Sequence, residues 1–229
     1  METSEDHQVY YIKTMFEFLR SYIIYLALLS GIVGLFSLPK LPGNKAKFLV
    51  LLIWFSIITE IVGYYFTQWT GLLNFYVYNF YMFASFSAYI LLLRALLTKI
   101  NNRILAIIFL ILFIVSFFLN ILYFKEDINR SFTYSFAIGV LLVLILCCLY
   151  LIEIFNSEKI LNFKKSVFFW YILGILVFHV PFTPFMLAIN WFLIKQDESI
   201  FSLVLFILNF LAHSCFIIGF IWSEKKYNY

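Results

Sequence analysis

The chain reads as an all-α polytopic membrane protein, a seven-transmembrane-helix bundle with its N-terminus out and its C-terminus in. Three observations predict this class. Hydrophobic residues make up 64% of the 229 positions and charged residues only 12%, where ordinary soluble domains carry about a quarter charged residues. The apolar residues gather into seven runs, each long enough for the ~20 residues that a bilayer's hydrocarbon core requires. None of the runs alternates apolar with polar positions, and all are too long for barrel strands, so closed β-structure is excluded. Mean hydropathy is +0.98. Water could not solvate that surface, and the lipid bilayer is the first partner the composition implies.

Residues 1–19 are expected to form an extracytoplasmic or interfacial segment. METSEDHQ is acidic where a signal peptide would be basic, and no small-residue cleavage site follows the first apolar run. Lys13, Glu17 and Arg20 lie at helical spacing within an otherwise apolar stretch, which marks a lead-in at the interface. The transmembrane domain is predicted over 20–222. Its first helix, 20–38, carries Gly31 and Gly34 for close packing, and Pro39, Pro42 and Gly43 close it in a loop. The second and third helices, 47–66 and 72–98, are parted by so short a turn around Gln68 and Trp69 that they must form an antiparallel hairpin. Helices over 103–124, 132–155, 166–190 and 199–222 complete the bundle, and 223–229 is a cytoplasmic tail.

Because every loop is short, lysine and arginine report orientation. One side of the predicted bundle collects eleven of them, from Lys40, Lys45 and Lys47 through Arg94, Lys99 and Arg103 to Lys159, Lys164, Lys165, Lys225 and Lys226. The other side has five: Lys13, Arg20, Lys125, Arg130 and Lys195. The first side is therefore expected in the cytoplasm and the protein in the inner (plasma) membrane.

Polar side chains inside a membrane helix need partners or a wet cavity, so their faces indicate what points inward. Glu60 is the one acidic residue of twelve that lies away from any loop or helix end. It belongs to the stripe Ser56, Glu60, Gly63, Thr67, with Tyr64 beside it. The run LLNFYVYNFY follows with Asn74, Tyr78, Asn79 and Tyr81. Similar stripes are His179, Thr183, Met186, Asn190 and Ser202, Phe206, Asn209, His213, and the fourth helix adds Ser116, Asn120 and Tyr123. At 1.5 Å per residue, Glu60 and Asn79 fall at about the same depth, in an outer half richer in polar groups than the inner. Pro181 and Pro184 open the sixth helix near Phe178 and Val180. The expected site is an outward-opening polar-aromatic cavity formed by Glu60, Tyr64, Asn74, Tyr78, Asn79, Asn120, His179, Thr183 and Asn209. Packing readings stand beside the functional ones: Glu60 as a hydrogen-bonded helix contact, His213 as a satisfied core histidine, the asparagines as interhelical bonds.

Several chemistries find no support in the residues. The last helix has no lysine for a retinal Schiff base, and there is no Gly-x-Ser-x-Gly run for a serine hydrolase. No His-Glu-x-x-His or comparable spacing offers a metal site, and no cofactor is expected. Cys147, Cys148 and Cys215 fall inside apolar runs and read as small buried residues rather than a disulfide framework. A net charge of +4 spread over loops argues against a nucleic-acid partner.

The stretch ITEIVGYYFTQWTGLLNFYVYNFY resembles the helix 2–3 hairpin of uncharacterised small seven-helix proteins of bacterial inner membranes. That family places a Glu in helix 2 before an Asn-rich aromatic start to helix 3, matched here by Glu60, Asn74 and Asn79. A second Glu often follows in helix 3; Ala84 and Ser85 stand in that region here. The resemblance implies the fold and no established activity. From the outer cavity, the seven-helix plan and the lack of catalytic constellations, the function is expected to be a sensor, signalling or interaction module for a small apolar or amphiphilic ligand, acting on a cytoplasmic or membrane protein partner. The alternatives are a small-solute or proton-coupled carrier or channel, and then an intramembrane enzyme acting on lipids with Glu60 and His179 as acid and base.

Overall fold

The structure is a computed structural model and describes residues 22–41, 43–124, 130–188 and 198–228. The expected segment 1–19, the first two residues of the first predicted helix, and Lys125, Asn190, Trp191 and Lys195 lie outside the described residues. Among the described residues, seven helices are long and apolar enough to cross a membrane, and no strand occurs. They are α1 (Tyr22–Lys40), α2 (Asn44–Thr70), α3 (Phe75–Leu96), α4 (Ile100–Leu119), α5 (Thr133–Phe155), α6 (Val167–Leu187) and α7 (Glu198–Trp222). The protein is an all-α, multi-pass membrane bundle. Alternate helix ends collect the lysines and arginines on one face of the bundle, called here the basic face.

The predicted turn at Gln68 and Trp69 lies in helix instead. α2 runs on through Thr70 and stops because Gly71 adopts a left-handed conformation (φ 72°), its N–H bonded to the Thr67 carbonyl at 2.9 Å. Only glycine takes that geometry without a β-carbon penalty. The chain then returns, and the Asn74 amide reaches the Gly63 carbonyl at 3.4 Å. The start of α3 is thereby set level with Gly63, and the last turns of α2 stand beyond it.

Between membrane helices lipid gives no hydrophobic drive, so close van der Waals contact must supply the attraction. Small residues make this possible at several of the interfaces. Gly31 of α1 lies against Ile57 and Trp54 of α2, and Gly34 against Phe220 of α7. Gly139 of α5 receives the Phe86 ring of α3, while Gly174 of α6 receives Phe216 of α7. α3 is the central helix, bordered by α2, α4 and α5. α4 is peripheral: Ala106, Phe113 and Phe117 point inward, and Ile104, Ile107, Ile108, Ile111, Leu112 and Val115 form an exposed aliphatic ridge suited to acyl chains. α4 ends in a π-turn at Asn120–Phe124.

Candidate functional site

Two side-chain amides act as staples. Asn79 is 5% exposed; its Nδ2 donates to the Arg130 carbonyl at 2.8 Å and its Oδ1 accepts from the Phe132 N–H at 3.0 Å. It thus fixes the chain just before α5. Asn120 donates to the Ser135 hydroxyl at 2.8 Å, joining α4 to α5. The carboxylate of Glu60 accepts from the Tyr78 hydroxyl at 3.3 Å. The Tyr78 ring fits because residue 63 is glycine: a β-carbon there would stand 2.7 Å from the tyrosine oxygen. Glu60, Gly63, Asn74 and Tyr78 therefore form one cluster within the hairpin. Tyr64 lies on the exposed side of α2, its ring 4.9 Å from Tyr65, which stacks on Trp69.

His179 occupies the centre of an aromatic box. The rings of Phe178, Phe86, Tyr89 and Phe136 lie 5.1, 5.4, 5.9 and 6.2 Å from it. Its Nδ1 bonds the Ile175 carbonyl at 3.0 Å. A carbonyl can only accept, so Nδ1 carries the proton and Nε2 presents an acceptor lone pair. Thr183 donates to the His179 carbonyl at 2.6 Å, one turn on and between the two prolines. Asn209 donates to the Leu205 carbonyl of its own helix at 2.8 Å.

Tyr89 extends this box into a longer column. Tyr81 and Tyr89 of α3 lie within electrostatic reach of each other and of Tyr171 on α6, whose ring is 6.4 Å from that of Tyr89. Tyr171 packs on Phe216 at 4.9 Å, and Phe216 on His213 at 5.5 Å. The His213 Nδ1 lies 2.8 Å from the Ser30 hydroxyl, whose own proton goes to the Ala27 carbonyl. Polar-aromatic side chains from α3, α6, α7 and α1 thus touch in sequence through the bundle. Within that column Ser85, one turn from both Tyr81 and Tyr89 on the same face of α3, is 4% exposed and its Oγ has no hydrogen-bond partner. Sequence reasoning missed this arrangement. The i, i+4, i+8 spacing of Tyr81, Ser85 and Tyr89 was the available signal.

The sequence reading places the polar groups mainly in the outer half and leaves the inner half almost wholly aliphatic apart from Cys147 and Cys148. Glu153, near the basic end of α5, corrects that. Its carboxylate, on a residue only 9% exposed, accepts from the Thr98 N–H (2.6 Å), the Thr98 hydroxyl (2.5 Å), the Lys99 N–H (3.2 Å) and the Asn102 amide (2.7 Å). These donors surround the first turn of α4, where a negative charge is favoured by the unsatisfied N–H groups and the helix dipole. On the same face Lys165 and Glu224 form an ion pair at 2.7 Å, and Asn228 Oδ1 accepts from the Val167 N–H at 2.8 Å, so the segment after α7 is tied to the start of α6. Glu224 bonding places the Lys165 ammonium above its ordinary pKa.

Fold and site together define a seven-helix membrane protein with a polar-aromatic interior. No family model, curated protein or solved structure matches the chain. Among the described residues, no group of three His, Cys, Asp or Glu side chains is placed to hold a metal ion.

Proposed function

We propose that the protein is a ligand-binding sensor or interaction module of the inner (plasma) membrane, its basic face in the cytoplasm. The ligand is a small apolar or amphiphilic molecule carrying at least one hydrogen-bonding group. The observation that carries this reading is the buried Ser85 hydroxyl without a partner, set between Tyr81 and Tyr89 and beside the aromatic box of His179. An unmet buried polar group costs roughly 1–3 kcal/mol, which a ligand's polar group would relieve. The surrounding rings would take its apolar part.

Transmission follows from the connections of α6. Tyr171 lies in its second turn, and its first residue, Val167, holds Asn228 of the segment after α7. A ligand that moves Tyr89 against Tyr171 therefore acts on the element that carries the C-terminal contact. Kinship with small seven-helix proteins of bacterial inner membranes is part of the same proposal and adds no activity to it.

The test is mass spectrometry of small molecules extracted from purified wild type, from Ser85→Leu and from Glu60→Gln. A species held by the wild type, lost from Ser85→Leu and kept by Glu60→Gln is the expected result. Loss with Glu60→Gln alone would move the site to the outer hairpin and favour the carrier reading. Identical extracts from all three, with each variant folded, would reject ligand binding in the column.

A further inference from the structure

We propose that the segment Ser223–Asn228 is a releasable latch: closed, it caps α6 and walls a depression on the basic face, and its release is the output of the sensor. Its role as output rests on the sensor reading above, whereas the latch stands on contacts of its own.

The first amides of a helix have no partner within it and are ordinarily met by the residue that precedes it. Ser166 precedes α6, but its side chain makes no such bond. Asn228 supplies the cap from sixty-one residues away. Its Oδ1 accepts from the Val167 N–H at 2.8 Å and its Nδ2 donates to the Glu224 carbonyl at 3.1 Å, on a residue only 4% exposed. Glu224 holds the segment a second time: its N–H donates to the Lys165 carbonyl at 3.0 Å, and its carboxylate pairs with the Lys165 ammonium at 2.7 Å. That ammonium also lies 5.4 Å from the centre of the Tyr227 ring. All these contacts reach one short stretch, Lys165–Val167, so losing one loosens the rest.

Two observations mark the segment as releasable. The ion pair is open to water, its side chains 44% and 53% exposed, so it holds weakly and is screened by salt. Ser223, at the hinge between α7 and the latch, is 6% exposed and its hydroxyl has no partner. A buried hydroxyl left unmet destabilises the closed form, and opening the hinge to water relieves it. Ser223 thus opposes what Asn228 holds, and the closed form is only modestly favoured.

Release has a definite consequence. Tyr227 is one wall of a depression that also involves Leu96 of α3, Tyr150 and Ile154 of α5, and Phe163. Its free volume is about 20 Å³, room for roughly one water. Moving Tyr227 away would open it onto the ends of α3 and α5 and leave the Val167 N–H unmet. Tyr171 of the column stands one turn beyond Val167 on the same helix, so a shift of α6 acts directly on the cap.

The test uses the full chain in nanodiscs, with no ligand added. Hydrogen exchange at the Val167 amide reads the cap, and limited trypsin cleavage at Lys225 and Lys226, relative to the denatured chain, reads the open population. Asn228→Ala should raise both about tenfold. Ser223→Ala removes the unmet hydroxyl and should lower cleavage about threefold or more; being stabilising, it keeps the test intact if Asn228→Ala misfolds. Asn228→Ser keeps an acceptor and should restore part of the protection. A Val167 amide freed by Asn228→Ala, with cleavage unchanged there and in Ser223→Ala, would show a fixed cap and overturn the latch. The output role is read separately by Ser85→Leu, which should change wild-type cleavage at least about twofold. Equal cleavage in Ser85→Leu and wild type would reject that role while leaving the latch, and the extracted-ligand result is decided by its own measurement.

Discussion

Replacing Glu153 by alanine removes the acceptor for four donors at once. Each hydrogen bond to a charged group contributes about 1.5–3 kcal/mol, but these four share two oxygens and are not additive. Water can reach Thr98 and Lys99, which are exposed, so part of the loss is recovered by hydration. Breaking a fully buried charged contact costs ~3–5 kcal/mol, and a partly hydrated one should cost about 2–4 kcal/mol. For a protein of this size that corresponds to a melting shift of roughly 4–16 °C. Glu153→Gln keeps one acceptor oxygen but turns a donor toward donors, and should cost about half as much. The assay is a thermal melt in detergent read by tryptophan fluorescence, with size-exclusion retention as the check on folding. An alanine variant melting within about 1 °C of wild type would refute the assignment of Glu153 as the cap of α4.

Asn79→Leu should destabilise by about 2–3 kcal/mol by leaving the Arg130 carbonyl and the Phe132 N–H unmet, whereas Asn209→Leu, which loses one bond within its own helix, should cost under ~1 kcal/mol; the same melts compare them. Gly139→Leu would drive a side chain into the Phe86 ring, and a cost of about 1–3 kcal/mol or failure to fold is expected, seen as aggregation on size exclusion. Orientation is tested with a membrane-impermeant thiol reagent on intact cells, using Lys164→Cys and Leu72→Cys, both at exposed positions. Labelling of Leu72→Cys alone is expected, and labelling of Lys164→Cys alone would invert the topology.

The helices were legible because spanning lipid is a demand on composition and length, which one sequence displays. Partners are a matter of direction, which it displays poorly. Glu60 and Asn79 come out at similar depths, yet Asn79 follows Tyr78 by one residue and so points ~100° away around α3. Tyr78 therefore turns to α2 while Asn79 turns to the start of α5. Glu153 drew no notice because a carboxylate near a helix end ordinarily sits in water; its donors Thr98 and Asn102 are more than fifty residues earlier. The tyrosines of the column were hidden for a related reason. Tyrosine is common at membrane surfaces, and nothing in the composition distinguishes Trp69, exposed on α2, from Tyr171, which is 3% exposed. His179 was legible as a polar residue beside prolines, but its box is drawn from α3, α5 and α6 and needs the packing to be seen.

The Glu153 contact also bears on the order of assembly. The turn between α3 and α4 leaves the ribosome long before α5, yet the oxygen atoms that complete it arrive only with α5. Until then the first amides of α4 must be met by water or by lipid headgroups at the membrane border. The α3–α4 pair is therefore born unfinished, free to adjust its height until the fifth crossing locks it. Asn79 works in the same sense, since α3 holds it ready for backbone that is synthesised some fifty residues later. A stalled chain ending before α5 should consequently expose α4 to proteolysis at its first turn, and the completed chain should not.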